Sequence, residues 1–240
     1  MTRILALDTS TDACSVALLV DGEVQEDFRI APRRHTHLLL PMVEAIMSDA
    51  GLGFGQLDAI AFGRGPGSFA GIRIATGAAQ GLALAVDIPL IPVSTLQAMA
   101  VDAASRAADC SSTESRSTER MFVAALDARM NEIYWSAVQV DDDCAVTERL
   151  PEQVSSPQAL ILPADMTSWV AIGSGWRYLD QMTSDIRDQV NNPDLDLYPR
   201  AGAMLKLAER AFANGQLIQA DDATPVYLRD EVAWKKKDQQ

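Results

Sequence analysis

Residues 5–22, LALDTSTDACSVALLVDG, and residues 124–142, AALDARMNEIYWSAVQVDD, decide the fold, because the second stretch repeats the layout of the first half a chain later. In each, an apolar run ends on an aspartate (Asp8, Asp127), a short polar loop follows, and a second apolar run closes in an acidic turn. Short apolar runs bounded by turn residues read as strands, and Asp21-Gly22 is a tight-turn pair joining residues 14–20 to 23–28. Repetition at this distance predicts a duplicated α/β fold in which each half opens with a strand meander.

Working outward, Leu39, Val43, Ile46 and Met47 fall on one face of a helix expected from about Thr36 to Ala50. A strand over 57–62, a helix from Ser68, a strand over 89–93 and a helix from Ser94 complete the first half. The second half carries a strand over 132–140, a strand entering the Gly173–Gly175 turn and a helix stopped by Gly215. Residues 109–120, DCSSTESRSTER, show no apolar periodicity and read as an exposed linker between subdomains 1–108 and 121–240.

Composition excludes several classes. With 240 residues and 48% hydrophobic content the chain can bury roughly 70% of its unfolded surface. Its apolar runs near residues 81–93 are interrupted by Asp87, Pro89 and Pro92, short of the ~20 residues of a membrane span. The N-terminus lacks the apolar core of an export signal, so a cytoplasmic location is expected. Cys14, Cys110 and Cys144 have no ligand spacing, and no metal site is assigned to them. A net charge of −13 repels a phosphate backbone, so RNA is expected to be met only through a partner. The basic cluster Lys235–Lys237 reads as a solvated tail.

The glycine loop at 62–72, FGRGPGSFAGI, matches the dinucleotide pattern at Gly65, Gly67 and Ala70, but its context fails. The ribose-binding acid should end the next strand, whereas Asp87 precedes it, and a Walker loop needs a Gly-Lys-Ser/Thr that does not occur. Ser68 can cap the following helix, whose start is open to an anion or a protein. Gly71, Ala75, Ala78 and Ala79 allow close helix approach, in an internal crossing or at a subunit interface. His35 and His37 are spaced i, i+2, which diverges on a helix and does not suit joint metal ligation.

Five stretches, ILALDTS at the start, GPGSFAGIRI at 65–74, VSTLQAMA at 93–100, ALDARMNEIYW at 125–135 and PVYLRDEVAWK at 225–235, resemble the bacterial TsaB family of tRNA threonylcarbamoyladenosine biosynthesis. Order and spacing agree along nearly the whole chain, although Ala70 stands where threonine is usual and Ala75 where glycine is common. The resemblance implies an actin-like, ribonuclease H-like duplicated α/β fold. It also implies a non-catalytic scaffold that binds the paralogous TsaD transferase, works alongside the TsaE ATPase and pairs with itself when alone. Helices from His37 to Met47 and from Phe69 to Leu84 would form the interface, with Leu39, Met42, Val43 and Ile46 filling it, Gly71, Ala75 and Ala78 allowing close approach, and Phe69 as an anchor. The alternative is an active small-molecule kinase or ATPase of the same fold, with Asp8, Asp127, Gly65, Gly67, Gly173 and Gly175 at its nucleotide site. Asp8 would then serve metal-bound nucleotide; otherwise it caps the turn after its strand. No cofactor is assigned to this chain alone, and ATP or ADP is expected, if anywhere, within the assembled complex.

Overall fold

The computed structural model describes residues 2–109 and 119–229. Most of the polar linker, Cys110 and the cluster Lys235–Lys237 lie outside the described residues.

The chain opens with the expected meander of β1 (Arg3–Asp8), β2 (Ala13–Val20) and β3 (Glu23–Ile30). It continues through α1 (His35–Asp49), β4 (Ala59–Gly65), α2 (Phe69–Val86), β5 (Leu90–Ser94) and α3 (Thr95–Asp109). The sheet order is β3-β2-β1-β4-β5, with β4 and β5 parallel to β1. The second half begins the same way, with β6 (Glu119–Arg129), β7 (Glu132–Asp141) and β8 (Val146–Ser155), and β9 (Val170–Ile172) lies parallel to β6. Its sheet order, β8-β7-β6-β9, copies the first four strands of the other. Then the halves diverge. Short 3₁₀ turns at Pro157–Ala159 and Ser174–Gln181, a one-turn α4 (Ser184–Arg187) and α5 (Ala201–Ala213) replace the long helices of the first half.

The linker separates the sheets but not the packing units. Helix α5 lays Ala201, Met204, Leu205 and Ala208 on Ile4, Ala6 and Ala17 of the first sheet. In exchange α3 places Leu96, Met99 and Ala100 against Phe122, Ala124 and Val138 of the second. A helix start leaves backbone N–H groups unsatisfied, and the first sheet supplies their acceptors. Ser15 Oγ accepts from Ala201 N (2.9 Å), while the Glu26 carboxylate accepts from Gly202 N (3.0 Å) and pairs with Arg200 (2.7 Å). Strand β6 already begins at Glu119, inside the stretch read as linker. Strand β8 carries Pro151 and several charges without clean alternation, so its sequence pattern gave no strand signal; it survives as an edge strand.

Six residues expected to fill a subunit interface face inward instead. Leu39, Met42, Val43 and Ile46 of α1 are buried against Leu5, Leu7, Val16 and Phe62 of their own sheet, and Gly71 and Ala75 of α2 are likewise buried. Apolar periodicity marks the face a helix buries, and here that face meets the helix's own sheet. Ala78 is partly buried beside the same core, and Phe69 remains 55% exposed. By length and composition α2 is apolar enough to cross a membrane, which the sequence reading missed; a third of it is buried, on the side that covers the first sheet.

Further ties fasten the halves. Glu152 of β8 accepts from Ser94 Oγ and pairs with Arg64 of β4 (2.9 Å). The C-terminal segment hydrogen-bonds Arg64 O through Val226 N (2.7 Å), and its Arg229 reaches Ala128 O (3.1 Å) and the Glu132 carboxylate.

Candidate functional site

The ends of β1 and β6 face each other across a cleft of about 530 Å³, lined by Ser10, Gly67 and Ser68 from one side and Asp127, Arg177 and Arg229 from the other. Of the residues considered for nucleotide, only Gly67 and Asp127 line it; Asp8, Gly65, Gly173 and Gly175 do not.

Asp8 is fully buried behind the cleft wall. Its Oδ1 accepts from Ser10 N (3.0 Å) and Ser10 Oγ (2.8 Å), while Oδ2 has no hydrogen-bond partner. Burial pushes the carboxyl up from 3.8 to about 7, and the two bonds from Ser10 only partly offset this. Gly63 is the reason the side chain fits: a Cβ there would overlap Asp8 Oδ2. Asp127 has the opposite surroundings. Its Oδ1 accepts from Arg129 N (2.8 Å) and Tyr178 Oη (3.2 Å), and its Oδ2 pairs with Arg129 Nη1 (3.0 Å).

The glycines serve close approach of one backbone to another. An added Cβ at Gly67 would overlap Ser10 O, at Gly71 it would overlap Thr9 O, and at Gly173 or Gly175 it would overlap Ala125. Ser68 N donates to Ser10 O (2.7 Å), Thr9 Oγ1 donates to Gly71 O (2.6 Å), and Ser68 Oγ caps α2 by accepting from Gly71 N (3.4 Å). The loop after β1 is thus laced onto the start of α2, over the Asp8 carboxyl. His35 spends its ring on Ala13 O (3.1 Å), whereas His37 is exposed. Burial raises the Cys14 thiol to about 11, with Asp8 and Asp27 adding to the shift.

Outward of the cleft, α1 and α2 lie side by side on the first sheet and present a second feature. On α2, Gly77 and Gly81 are exposed, and a Cβ on either would meet only open space. Leu40 of α1 and Phe69 and Leu84 of α2 flank them as exposed large apolar residues. Between Phe69 and Gly77 stands Arg73, its guanidinium 3.7 Å over the Phe69 ring and its Nε donating to Tyr227 Oη (2.7 Å). Sequence reasoning singled out neither Arg73, Tyr227 nor Arg229. The signal for Arg73 was available: once the sheet-facing positions of α2 are removed, the remainder recurs at 73, 77, 81 and 84. No comparable signal exists for Tyr227 or Arg229, whose partners lie far away in sequence. Arg229 holds a turn in which Arg129, Met130 and Asn131 all have positive φ (64°, 55° and 60°), an uncommon conformation for side-chain-bearing residues.

Residues 29–236 match the family model of TsaD, tRNA N6-adenosine threonylcarbamoyltransferase. The chain is 43% identical to the tRNA threonylcarbamoyladenosine biosynthesis protein TsaB of Haemophilus influenzae, over 97% of this chain and 96% of that protein. It is 40% identical to the protein of the same name from Escherichia coli, over 98% and 97%. Among solved structures it is similar to YeaZ from Pseudomonas aeruginosa, with a TM-score of 0.83 at 39% identity, covering 95% of this chain and all of that one.

Proposed function

The chain belongs to the TsaB family of tRNA threonylcarbamoyladenosine biosynthesis, built on the actin-like fold it shares with the TsaD transferases, and from that premise we propose that it is a non-catalytic subunit that docks and supports TsaD. The observation that carries this reading is the outward α1–α2 face, where open glycines and flanking apolar residues suit close helix packing by another subunit. Residues facing outward, Leu40, Phe69, Gly77, Gly81 and Leu84, take the role first assigned to Leu39, Met42, Val43, Ile46, Gly71 and Ala75. Support also comes from the strand-end acids. Asp8 is sealed from the cleft, and Asp127 is engaged with Arg129 and Tyr178.

On this reading the protein works in the cytoplasm, self-associates through the same face when alone, cooperates with the TsaE ATPase and meets tRNA through the assembly. The rival, a kinase or ATPase of this fold, is favoured by the polar cleft with its arginines. Reconstitution separates the two. TsaD, TsaE, a threonylcarbamoyl donor, ATP and tRNA are combined with and without this chain, and threonylcarbamoylated adenosine is quantified. Modification should require the chain, and the isolated chain should hydrolyse ATP at background. Full modification without it would overturn the scaffold reading, and metal-dependent phosphate release abolished by Asp8→Asn would establish the rival.

A further inference from the structure

Away from the cleft, three chemically distinct side chains from three elements converge at the seam between the halves. Cys144 sits in the turn between β7 and β8, Ser105 in α3 and Lys206 in α5. Lys206 Nζ donates to Ser105 Oγ (2.8 Å) and to Cys144 Sγ (3.7 Å). The Ser105 hydroxyl lies 3.9 Å from the same sulfur while donating to Val101 O (2.8 Å). An amine, a hydroxyl and a thiol thus meet, with the amine 62 residues along the chain from the thiol.

The thiol is held in place. Its turn folds back through Cys144 N to Asp141 O (3.0 Å) and Ala145 N to Asp141 Oδ1 (2.7 Å), and α5 grips it through Arg210 Nη2 on Asp143 O (3.0 Å). Cys144 packs beside the core that α3 shares with the second sheet, yet it is only half-buried and within reach of a small solute. Cys14, the other cysteine among the described residues, is fully buried in β2. Lys206 is exposed, so its flexible stem can carry the nitrogen the remaining distance to the sulfur.

We propose that Cys144 and Lys206 form a peroxide-responsive covalent clamp between the halves, closed by a sulfur–nitrogen bond. In the first step the Cys144 sulfur attacks one oxygen of a hydroperoxide. The S–O bond forms as the O–O bond breaks, sulfur gives up two electrons to the peroxide, and the thiol proton leaves with the departing oxygen as water or alcohol. The resulting sulfenic acid has Lys206 Nζ and Ser105 Oγ beside it as donors. In the second step the Lys206 ammonium releases one proton to solvent and the amine attacks the sulfur. The S–N bond forms as the S–O bond breaks, and hydroxide leaves with a second amine proton as water, with no further oxidant consumed. A sulfenic acid condenses with whichever nucleophile is held against it, and an amine already at the sulfur has the advantage of proximity over any solute. Two thiols reverse the bond: the first displaces the amine from sulfur, and the second releases Cys144 and forms a disulfide with the first. Because α5 lies on the first sheet and Cys144 belongs to the second, the bond staples one half to the other.

The test treats the full chain with excess hydrogen peroxide and reads its intact mass and a tryptic map made without reductant. The chain should lose about 2 Da, two hydrogens, and trypsin should no longer cut after Lys206, which should appear joined to the peptide carrying Cys144. Dithiothreitol should restore both. Lys206→Arg keeps the charge and offers no free amine, so that chain should instead gain about 16 Da as a sulfenic acid that dimedone captures. The oxidised wild-type chain should melt at least about 5 °C above the reduced one, because the bond closes a long loop, and oxidised Lys206→Arg should show no such rise. A mass loss that persists in Lys206→Arg, or that maps to a disulfide between Cys110 and Cys144, overturns the proposal. So does a Cys144 that peroxide leaves reduced, or carries to the sulfinic acid while Lys206 is still cleaved. A mapped cross-link with an unchanged melting midpoint overturns its action as a clamp between the halves.

Discussion

Asp8 and Asp127 occupy the same position in two copies of one strand pattern, yet one is sealed and the other opens on the cleft. Asp8 ends β1 and Asp127 lies two residues before the end of β6, each on an interior strand just ahead of the connection to an antiparallel neighbour. What differs is the covering. In the first half the 18-residue α2 is drawn down over β1 by Gly63, Gly67 and Gly71, which let backbone and carboxyl approach where a Cβ would collide. In the second half an eight-residue 3₁₀ segment, Ser174–Gln181, stands in that place and leaves Asp127 able to bond Arg129 and Tyr178. Duplication therefore preserves the acid's position, whereas the segment folded over it decides its chemistry.

The change expected to disturb this contrast most is Gly63→Ala. Its new methyl would collide with the Asp8 carboxyl in a site with no room to relax, and overpacking of that kind costs about 3 kcal/mol. Urea denaturation should show that loss, and adding Asp8→Ala should recover most of it, because the group struck is then gone. A Gly63→Ala chain as stable as the parent would mean that β4 does not lie against the Asp8 carboxyl as described.

Next in size is Asp8→Asn. The Asp8 carboxyl is raised by burial from 3.8 to about 7, so between these values the folded chain holds a proton that the unfolded chain has released. Stability should therefore fall as pH rises through this window and level off above it. Asparagine removes the buried charge, worth on the order of 4 kcal/mol at about 1.4 kcal/mol per pH unit. It places an unpaired amide where Oδ2 already lacks a partner, which takes back about 2 kcal/mol. A net gain on the order of 2 kcal/mol is expected at pH 8, shrinking to zero or reversing near pH 5. Parallel stability curves for the two chains from pH 5 to 8 would contradict this assignment.

The sequence disclosed this contrast only in part. The repeated strand-aspartate layout was legible because strand periodicity and turn residues act locally, and the boundaries of β1 and α2 follow from them closely. The glycines were visible too, but their purpose was not. Gly67 and Gly71 resemble a phosphate loop in spacing, while their function depends on Ser10 and Thr9, over fifty residues earlier, lying directly against them. Similarly, Leu39 and Val43 mark a buried face without naming what buries it, and the exchange of α3 and α5 between the sheets has no local signature. The family resemblance supplied the fold; only the tertiary arrangement shows that Arg73, with Tyr227 from the far end of the chain, occupies the outward face.

The smallest effect belongs to Asp127→Asn. Its ion pair with Arg129 joins a side chain 23% exposed to one 79% exposed, and such pairs contribute no more than about 1 kcal/mol. Asparagine keeps an oxygen that can accept from Arg129 N, so the left-handed turn at Arg129–Asn131 retains its local tie, and Arg229 still grips Ala128 O from the other side. Stability at pH 8 should change by less than about 0.5 kcal/mol, against the gain expected for Asp8→Asn under the same conditions. Asp127→Ala goes further, because it removes the acceptor as well as the charge. It should cost about 1 kcal/mol and speed amide exchange at Arg129 while leaving Ser10 unaffected. If Asp127→Asn instead stabilises the protein as much as Asp8→Asn does, the two acids share one environment after all, and the difference in what covers them is not what sets their chemistry.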